Sequence, residues 1–120
     1  MKVTDFRPMI WTENIKESID FYTNVLGFNC HGNTEDWGWA SLRWQGAAIM
    51  LARPNEHEPH DKIGFTGSFY FNVADVDAVW NELKDKAKVC YEIETFDFGM
   101  REFAIYDNNG YLLQFGEEVV

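Results

Sequence analysis

Histidine and cysteine side chains are the first candidates for chemistry in this sequence, because imidazoles and thiolates bind metals and thiolates act as nucleophiles. His57 and His60 are separated by two residues and have acidic neighbours, a pattern that would suit a metal site. Both lie in a polar stretch that contains Pro54 and Pro59, where ligands are poorly fixed, so we interpret them as part of a solvated loop. Cys90 falls on a predicted strand without an evident histidine partner, which argues against a thiol nucleophile.

Aromatic rings combined with carboxylates form the second chemical feature. The 120 residues include 10 Phe, 5 Tyr and 5 Trp. This is more ring surface than such a small core needs, so some rings are expected to line a site. Flat rings give contact area at low entropic cost, and tryptophan faces attract cations. Carboxylates such as Glu35, Asp36 and Glu102 could pair with a basic ligand.

The charge balance excludes some partners. Twenty acidic and 10 basic residues give a net charge of −10 at pH 7, the opposite of what binding to nucleic acid or to an anionic membrane requires. Such a field would steer a cationic small molecule inward, although it also simply keeps a protein in solution. No signal peptide or membrane-spanning run is visible, so we predict a cytoplasmic protein with Cys30 and Cys90 as reduced, buried thiols.

Two halves of the chain repeat one order of elements. The first half predicts a strand at 3–11, a helix capped by Asn14 and ended by Gly27, and strands at 28–31, 37–44 and 47–52. The second predicts a strand at 68–73, a helix capped by Asp75, and strands at 89–93, 100–106 and 111–115. An Asn-Gly hairpin turn at 107–110 precedes the last strand.

The repeat predicts the fold class. Ile10, Ile15 and Ile19 match, at one constant offset, the apolar positions Phe71, Val76 and Trp80. We therefore predict a single α+β domain of two βαβββ modules, at about 1–53 and 67–120, joined by a linker at 54–66. Because one module alone would bury too little surface, the curled mixed sheets are expected to share a core and enclose a cleft.

Two motifs in the sequence resemble the vicinal oxygen chelate superfamily. Residues 14–28, NIKESIDFYTNVLGF, are similar to its first-helix signature, and residues 100–115, MREFAIYDNNGYLLQF, to its closing hairpin. The superfamily contains glyoxalases, extradiol dioxygenases, fosfomycin-resistance enzymes and bleomycin-resistance proteins. The resemblance covers essentially the whole chain and implies the paired-module fold, but it is a poor guide to activity.

The resemblance also places the positions from which metal-dependent members chelate a divalent ion. They fall on Arg7, Met50, Ser68 and Gln114, where the family has His, Glu or Gln. An arginine brings a permanent positive charge, and a methionine thioether is a poor ligand for hard ions. With no anionic ligand among the four, we predict that the protein uses neither a metal nor another cofactor.

Among the branches of the superfamily, the sequence is most similar to the bleomycin-resistance proteins. These are metal-free acidic dimers that sequester a cationic glycopeptide between aromatic rings. Their aromatic positions fall on Trp37, Tyr70 and Phe98, and Trp39 shares a strand face with Trp37. Each ring has the alternative of packing in the core. The predicted ligand-binding residues are these four with Glu102 and the former metal positions, and no catalytic residue is predicted.

Arg7 has two interpretations. A buried arginine is normally paired, so it could be a structural strut bonded to Glu102 or another strand carboxylate. It could instead grip an anionic group on a ligand. We favour the strut.

The sequence thus predicts a homodimeric small-molecule-binding protein, by resemblance an antibiotic-resistance protein, that sequesters a flat cationic ligand in an aromatic cleft at the dimer interface. It favours sequestration over catalysis. The alternative is a glyoxalase- or dioxygenase-like lyase or isomerase with an altered metal site. Proton transfer would then fall to an acid–base pair such as Glu102 with Tyr70. A sensor or regulatory subunit ranks last, because no partner-binding tail is evident.

Overall fold

Each half of the chain folds as a helix packed on a four-stranded mixed sheet in the computed structural model. The structure describes residues 2, 4–33, 38–54 and 68–119. Two compact units, Met1–Ile63 and Gly64–Val120, divide the chain. The α+β class and the two modules are confirmed. The predicted linker falls almost wholly outside the described residues.

The first unit begins with strand β1 (Met9–Trp11) and helix α1 (Ile15–Asp20), which continues as a π-helical segment (Phe21–Leu26). Strands β2 (Asn29–Asn33), β3 (Trp39–Trp44) and β4 (Ala47–Ala52) follow. The sheet order is β1-β4-β3-β2, with β1 parallel to β4 and the other neighbours antiparallel. The large side chains buried in this unit are Ile10, Ile15, Tyr22, Leu26, Phe28, Leu42 and Leu51.

The second unit repeats this plan. It contains β5 (Phe69–Asn72), α2 (Val76–Leu83), β6 (Lys88–Thr95), β7 (Met100–Tyr106) and β8 (Leu112–Glu118). The sheet order is β5-β8-β7-β6, with β5 parallel to β8. In neither unit does the four-stranded sheet close on itself.

The first helix departs from the predicted continuous α-helix after Asp20. At the junction the Thr23 hydroxyl donates to the Ile19 carbonyl oxygen at 2.7 Å, a bond that competes with the α-helical pattern. The segment still ends where predicted, because Gly27 adopts the left-handed conformation at φ 99°. Tyr22 and Leu26 remain buried on one face.

The two helices begin differently. The predicted cap Asp75 accepts a hydrogen bond from the Ala78 amide, and Glu117 accepts from the Val76 amide at 3.0 Å. The predicted cap Asn14 makes no side-chain capping bond, so that expectation is wrong. Instead, the buried Thr12 hydroxyl accepts a hydrogen bond from the Asn14 amide at 3.0 Å, just before the helix begins.

The expectation about the cysteines is half correct. Both thiols are free, but Cys90 is exposed and Cys30 only half-buried, because both lie on strands at the edges of their sheets. Among the helices that the structure describes, none is long and apolar enough to cross a membrane.

The capping difference gives a stability prediction. Asp75→Ala should lower the free energy of unfolding by about 1 kcal/mol, because it removes the acceptor for a helix amide that has no intrahelical partner. Asn14→Ala is the matched control and should cost less than about half of that, because its side chain caps nothing. Urea unfolding of both variants measures the difference. Equal costs would contradict the assignment of Asp75 as the functional cap.

Candidate functional site

Alternation along the strands of the second unit separates a core face from a polar face. Phe71, Phe115 and Phe103 stack in series with ring centroids 4.9 and 5.2 Å apart, and Trp80 of α2 lies 5.1 Å from Phe103. Because successive side chains point to opposite faces, the intervening residues of the same strands face away from this core. Among them is Glu102 on β7.

Glu102 is the centre of a hydrogen-bonded cluster on the polar face. Its side chain is only 5% exposed, although it is a carboxylate. Tyr70 on β5 donates to Oε1 at 2.7 Å, and Tyr91 on β6 donates to Oε2. The Gln114 amide donates to the Tyr91 hydroxyl at 2.9 Å and more weakly to Glu102 Oε2 at 3.4 Å. The donors satisfy a buried carboxylate that would otherwise be very costly.

Tyr70 reaches Glu102 only because β8 carries a glycine between them. The strand order places β8 between β5 and β7, so the Tyr70 ring must cross that strand. A Cβ at Gly116 would lie 2.0 Å from the Tyr70 hydroxyl oxygen and 2.8 Å from the ring carbon that bears it. With the Tyr70 ring in this position, only glycine fits beneath it, because any other residue would add a Cβ.

Both phenols in the cluster are held in the neutral form. Burial, and next the hydrogen bond to Glu102, raise the pKa of Tyr70 well above its ordinary value of 10.0. The same two causes raise the pKa of Tyr91 to about 12. At neutral pH the two hydroxyls are therefore donors.

A pocket of about 510 Å³ opens beside the cluster. It is lined by residues of β6, of the turn after it and of β7: Tyr91, Glu92, Ile93, Glu94, Phe96, Phe98 and Glu102. In the turn, Phe96 and Phe98 stack with their ring planes 7° apart and centroids at 5.4 Å. The turn is held by Gly99, which has φ 86° and whose carbonyl accepts from the Val119 amide at 2.9 Å.

The register of β6 against β7 shifts twice, between Val89 and Tyr91 and between Tyr91 and Glu94. The second shift brings Tyr91 and Glu94 to the same face. Tyr91 pairs with Ala104 and Glu94 with Glu102, so β6 has one more residue than β7 between these pairs. Cross-strand partners share a face, so both residues lie on the side of Glu102. Without this shift, the odd spacing between them would put them on opposite faces.

The positions that the family resemblance assigned to a metal do not form a fitting donor set. The Ser68 hydroxyl donates to Gln114 Oε1 at 2.5 Å, so the two positions in the second unit do come together, bonded to each other. Neither is anionic, and the amide oxygen already has its donor. The described residues also contain no group of three or more His, Cys, Asp or Glu side chains that could hold a metal.

Arg7 differs from the expectation. Its side chain is 38% exposed, not buried. Its carboxylate partner is Asp5 at 2.9 Å, where the sequence had suggested Glu102 or another strand carboxylate, and it also donates to the Ser41 hydroxyl at 2.6 Å. Arg43 donates to the same Asp5 oxygen at 2.9 Å. Arg7 precedes β1, so it escapes the burial that a strand position would have given.

The other predicted site residues are distributed as follows. Met50 lies on β4 of the first unit, paired with Ser41, the residue that Arg7 contacts. Trp39 is half-buried on β3, with its ring against Gly32 of the neighbouring strand. Trp37 lies outside the described residues.

The second unit gathers most of the predicted set and adds residues that the sequence analysis missed. Tyr70, Ser68 and Gln114 join Glu102 in one network, and Phe98 lines the pocket beside it. Tyr91 and Phe96 were missed. The aromatic-Asp-aromatic sequence at 96–98 was a signal for Phe96, but nothing in the sequence indicated the register shifts that place Tyr91 on the face of Glu102.

Comparison with known proteins decides the family. The family model described as the glyoxalase/bleomycin resistance protein/dioxygenase superfamily matches residues 6–115. The chain belongs to this superfamily. A search among curated proteins finds no significant relative.

Solved structures of the superfamily fold agree over almost the whole length. A protein of unknown function from Agrobacterium tumefaciens str. C58 is 22% identical, with a TM-score of 0.78 and coverage of 99% of this chain and 98% of that one. A glyoxalase/bleomycin resistance protein/dioxygenase from Alicyclobacillus acidocaldarius is 17% identical, with a TM-score of 0.75 and coverage of 96% and 92%. A lactoylglutathione lyase from Agrobacterium tumefaciens is 15% identical, with a TM-score of 0.71 and coverage of 98% and 96%. At these identities the likeness shows the fold alone.

The close approach at Gly116 predicts the effect of one methyl group. Gly116→Ala should displace Tyr70 from Glu102 and lower the free energy of unfolding by about 1–3 kcal/mol. The Tyr70 phenol should then titrate closer to its ordinary value of 10.0. Ultraviolet titration of the tyrosines measures this, since the ionised phenol absorbs at longer wavelength.

Gly46→Ala is the matched control, because a Cβ there would meet nothing within 4 Å. It should leave the tyrosine titration unchanged. The same titration curve for Gly116→Ala and the unmodified protein would contradict the position of Tyr70.

Proposed function

We propose that this protein binds a flat cationic small molecule in the pocket of the second unit and holds it without altering it. One observation carries the proposal. The pocket combines the stacked Phe96 and Phe98 rings with three carboxylates, and no Lys, Arg or His is among its described lining residues.

The physical properties of the pocket favour such a ligand. Its volume of about 510 Å³ lies in the range of small-molecule sites. Phe98 is 68% exposed, so it offers ring surface that a flat ligand would bury. Glu92 and Glu94 supply negative charge at the rim, and the net charge of −10 would concentrate cations around the protein.

Binding without a metal is part of the proposal. A hard divalent ion needs oxygen or nitrogen donors with free lone pairs, usually with some negative charge. Ser68 and Gln114 are neutral and bonded to each other, and Arg7 is a permanent cation. Glu102 is the one carboxylate in this network, and three neutral donors already occupy three of its acceptor positions.

The superfamily supplies a specific candidate ligand, a bleomycin-type cationic glycopeptide, and with it a role in antibiotic resistance. We also propose that the protein is a cytoplasmic homodimer, as in the bleomycin-resistance branch. Light scattering of the purified protein measures the molar mass, and a monomer would remove the dimer from the proposal.

Titration with metal-free bleomycin tests the function. We expect saturable binding with a Kd at the micromolar level or below, equivalent to about 8 kcal/mol or more. Phe98→Ala should weaken binding about tenfold, because it removes the exposed ring of the stacked pair. Isothermal titration calorimetry measures both, and moderate salt should weaken binding if the acidic field contributes.

Phe6→Ala is the matched control, since Phe6 is also a highly exposed phenylalanine but lies in the first unit and does not line the pocket. The Phe6→Ala variant should bind metal-free bleomycin with the same affinity as the unmodified protein. The absence of binding at any salt concentration would reject bleomycin as a ligand. An equal loss of bleomycin affinity in Phe98→Ala and Phe6→Ala would reject the pocket as the binding site.

A second candidate function is favoured by the contact between Tyr70 and Glu102. The sequence suggested these two as an acid–base pair for a lyase or isomerase acting on a small carbonyl compound, and they are hydrogen-bonded at 2.7 Å. One feature opposes it: the raised pKa of Tyr70 makes its phenol a weak acid.

Proton exchange separates the two functions. An enzyme of this kind would exchange the proton next to the carbonyl of its substrate with deuterium from heavy water, and Glu102→Gln would abolish the exchange. We expect no exchange above background with small α-ketoaldehydes and their thiol adducts. Nuclear magnetic resonance measures the exchange. Exchange that Glu102→Gln abolishes would replace the binding function with catalysis.

A further inference from the structure

The acceptor positions of Glu102 limit which cations its pocket can hold. A carboxylate offers about four lone-pair positions to donors. Tyr70 uses one position on Oε1, whereas Tyr91 and Gln114 use two on Oε2. Among the described residues, no donor fills the second position on Oε1.

The charge of Glu102 also lacks a partner in the part of the chain that the structure describes. The ion pairs there join Arg7 and Arg43 to Asp5, and Arg101 to Asp77. The three donors to Glu102 are neutral groups, so they solvate the carboxylate without cancelling its charge. A carboxylate that is 95% buried, with no counter-ion, gains most from a ligand that brings one.

The rings of the turn supply an observation that is independent of the carboxylates. Phe96 and Phe98 are parallel, and the largely exposed Phe98 ring lines the same pocket as Glu102. The lining of this pocket therefore includes an apolar surface suited to a flat ring as well as the buried Glu102 carboxylate.

We propose that the pocket selects planar aromatic cations whose charge lies on N–H groups, such as aryl amidinium or guanidinium ions, over cations of similar size without N–H. This inference rests on the proposed function, because it concerns the same pocket. An amidinium N–H can fill the free position on Oε1 with a charge-assisted hydrogen bond while its ring lies against Phe98. A quaternary ammonium brings charge but no donor, and its methyl groups keep that charge away from the oxygen.

Three probes of similar size test the selectivity. Benzamidine carries both the charge and the N–H groups, phenyltrimethylammonium carries the charge alone, and benzamide carries N–H groups without the charge. We expect benzamidine to bind at least about tenfold more tightly than either of the others, because charge-assisted hydrogen bonds are about twice as strong as neutral ones. Titration calorimetry on the full-length protein measures the three affinities.

Glu102→Gln should reduce the affinity for benzamidine to about that for benzamide. Glu118→Gln is the matched control, because it removes the same charge from an exposed residue that does not line the pocket. It should keep the preference for benzamidine. Far-ultraviolet circular dichroism confirms that each variant is folded, and the probe series on the unmodified protein stands even if Glu102→Gln does not fold.

The outcomes separate this inference from the proposed function. Equal binding of benzamidine and phenyltrimethylammonium overturns the N–H selectivity and leaves a cation-binding pocket. Equal binding of benzamidine and benzamide shows that charge is not recognised, which overturns both. If none of the three probes binds, the selectivity is overturned and the bleomycin titration decides the proposed function separately. A folded Glu102→Gln variant that keeps the preference also overturns the selectivity.

Discussion

The burial of one carboxylate governs the polar face of the second unit. Glu102 sits in the middle of a β-strand with only 5% of its surface exposed, so its oxygens must find donors within the protein. Each donor depends on a further feature. Tyr70 needs the missing side chain at Gly116, and Tyr91 needs the register shifts that flank it in β6. Gln114 is oriented by Ser68, which occupies its amide oxygen.

The two units have the same strand order, but they compensate the charge of a carboxylate in different ways. In the first unit the exposed Asp5 is bonded to two guanidinium groups, and the hydrogen bond from Arg7, followed by those from Phe6 and Arg43, lowers its pKa to about 2. In the second unit Glu102 has only neutral donors. An exposed carboxylate can be neutralised by flexible arginines at little cost. A buried carboxylate with neutral donors keeps an uncompensated negative charge, which a cationic ligand can neutralise.

Most of the fold could be predicted because it depends on local patterns. Apolar periodicity identified both helices, and the Asp75 cap and the Gly27 terminus were predicted correctly since they follow from neighbouring residues and backbone conformation. The errors arose where a distant or competing group decides. Thr12 replaced Asn14 at the first helix, and edge-strand positions left Cys90 exposed. Superfamily membership likewise follows from motifs, whereas activity does not.

By itself, the sequence determined the α+β class, the repeat of two modules and the residue types available for binding, among them Tyr70, Phe98 and Glu102. The tertiary structure alone decided that Tyr91 joins them, because the register shifts that flank it in β6 place it on the face of Glu102. It also decided that Gly116 lies beneath the Tyr70 ring. Strand alternation is a local property that sequence reveals, whereas register and bulges are set by the neighbouring strand.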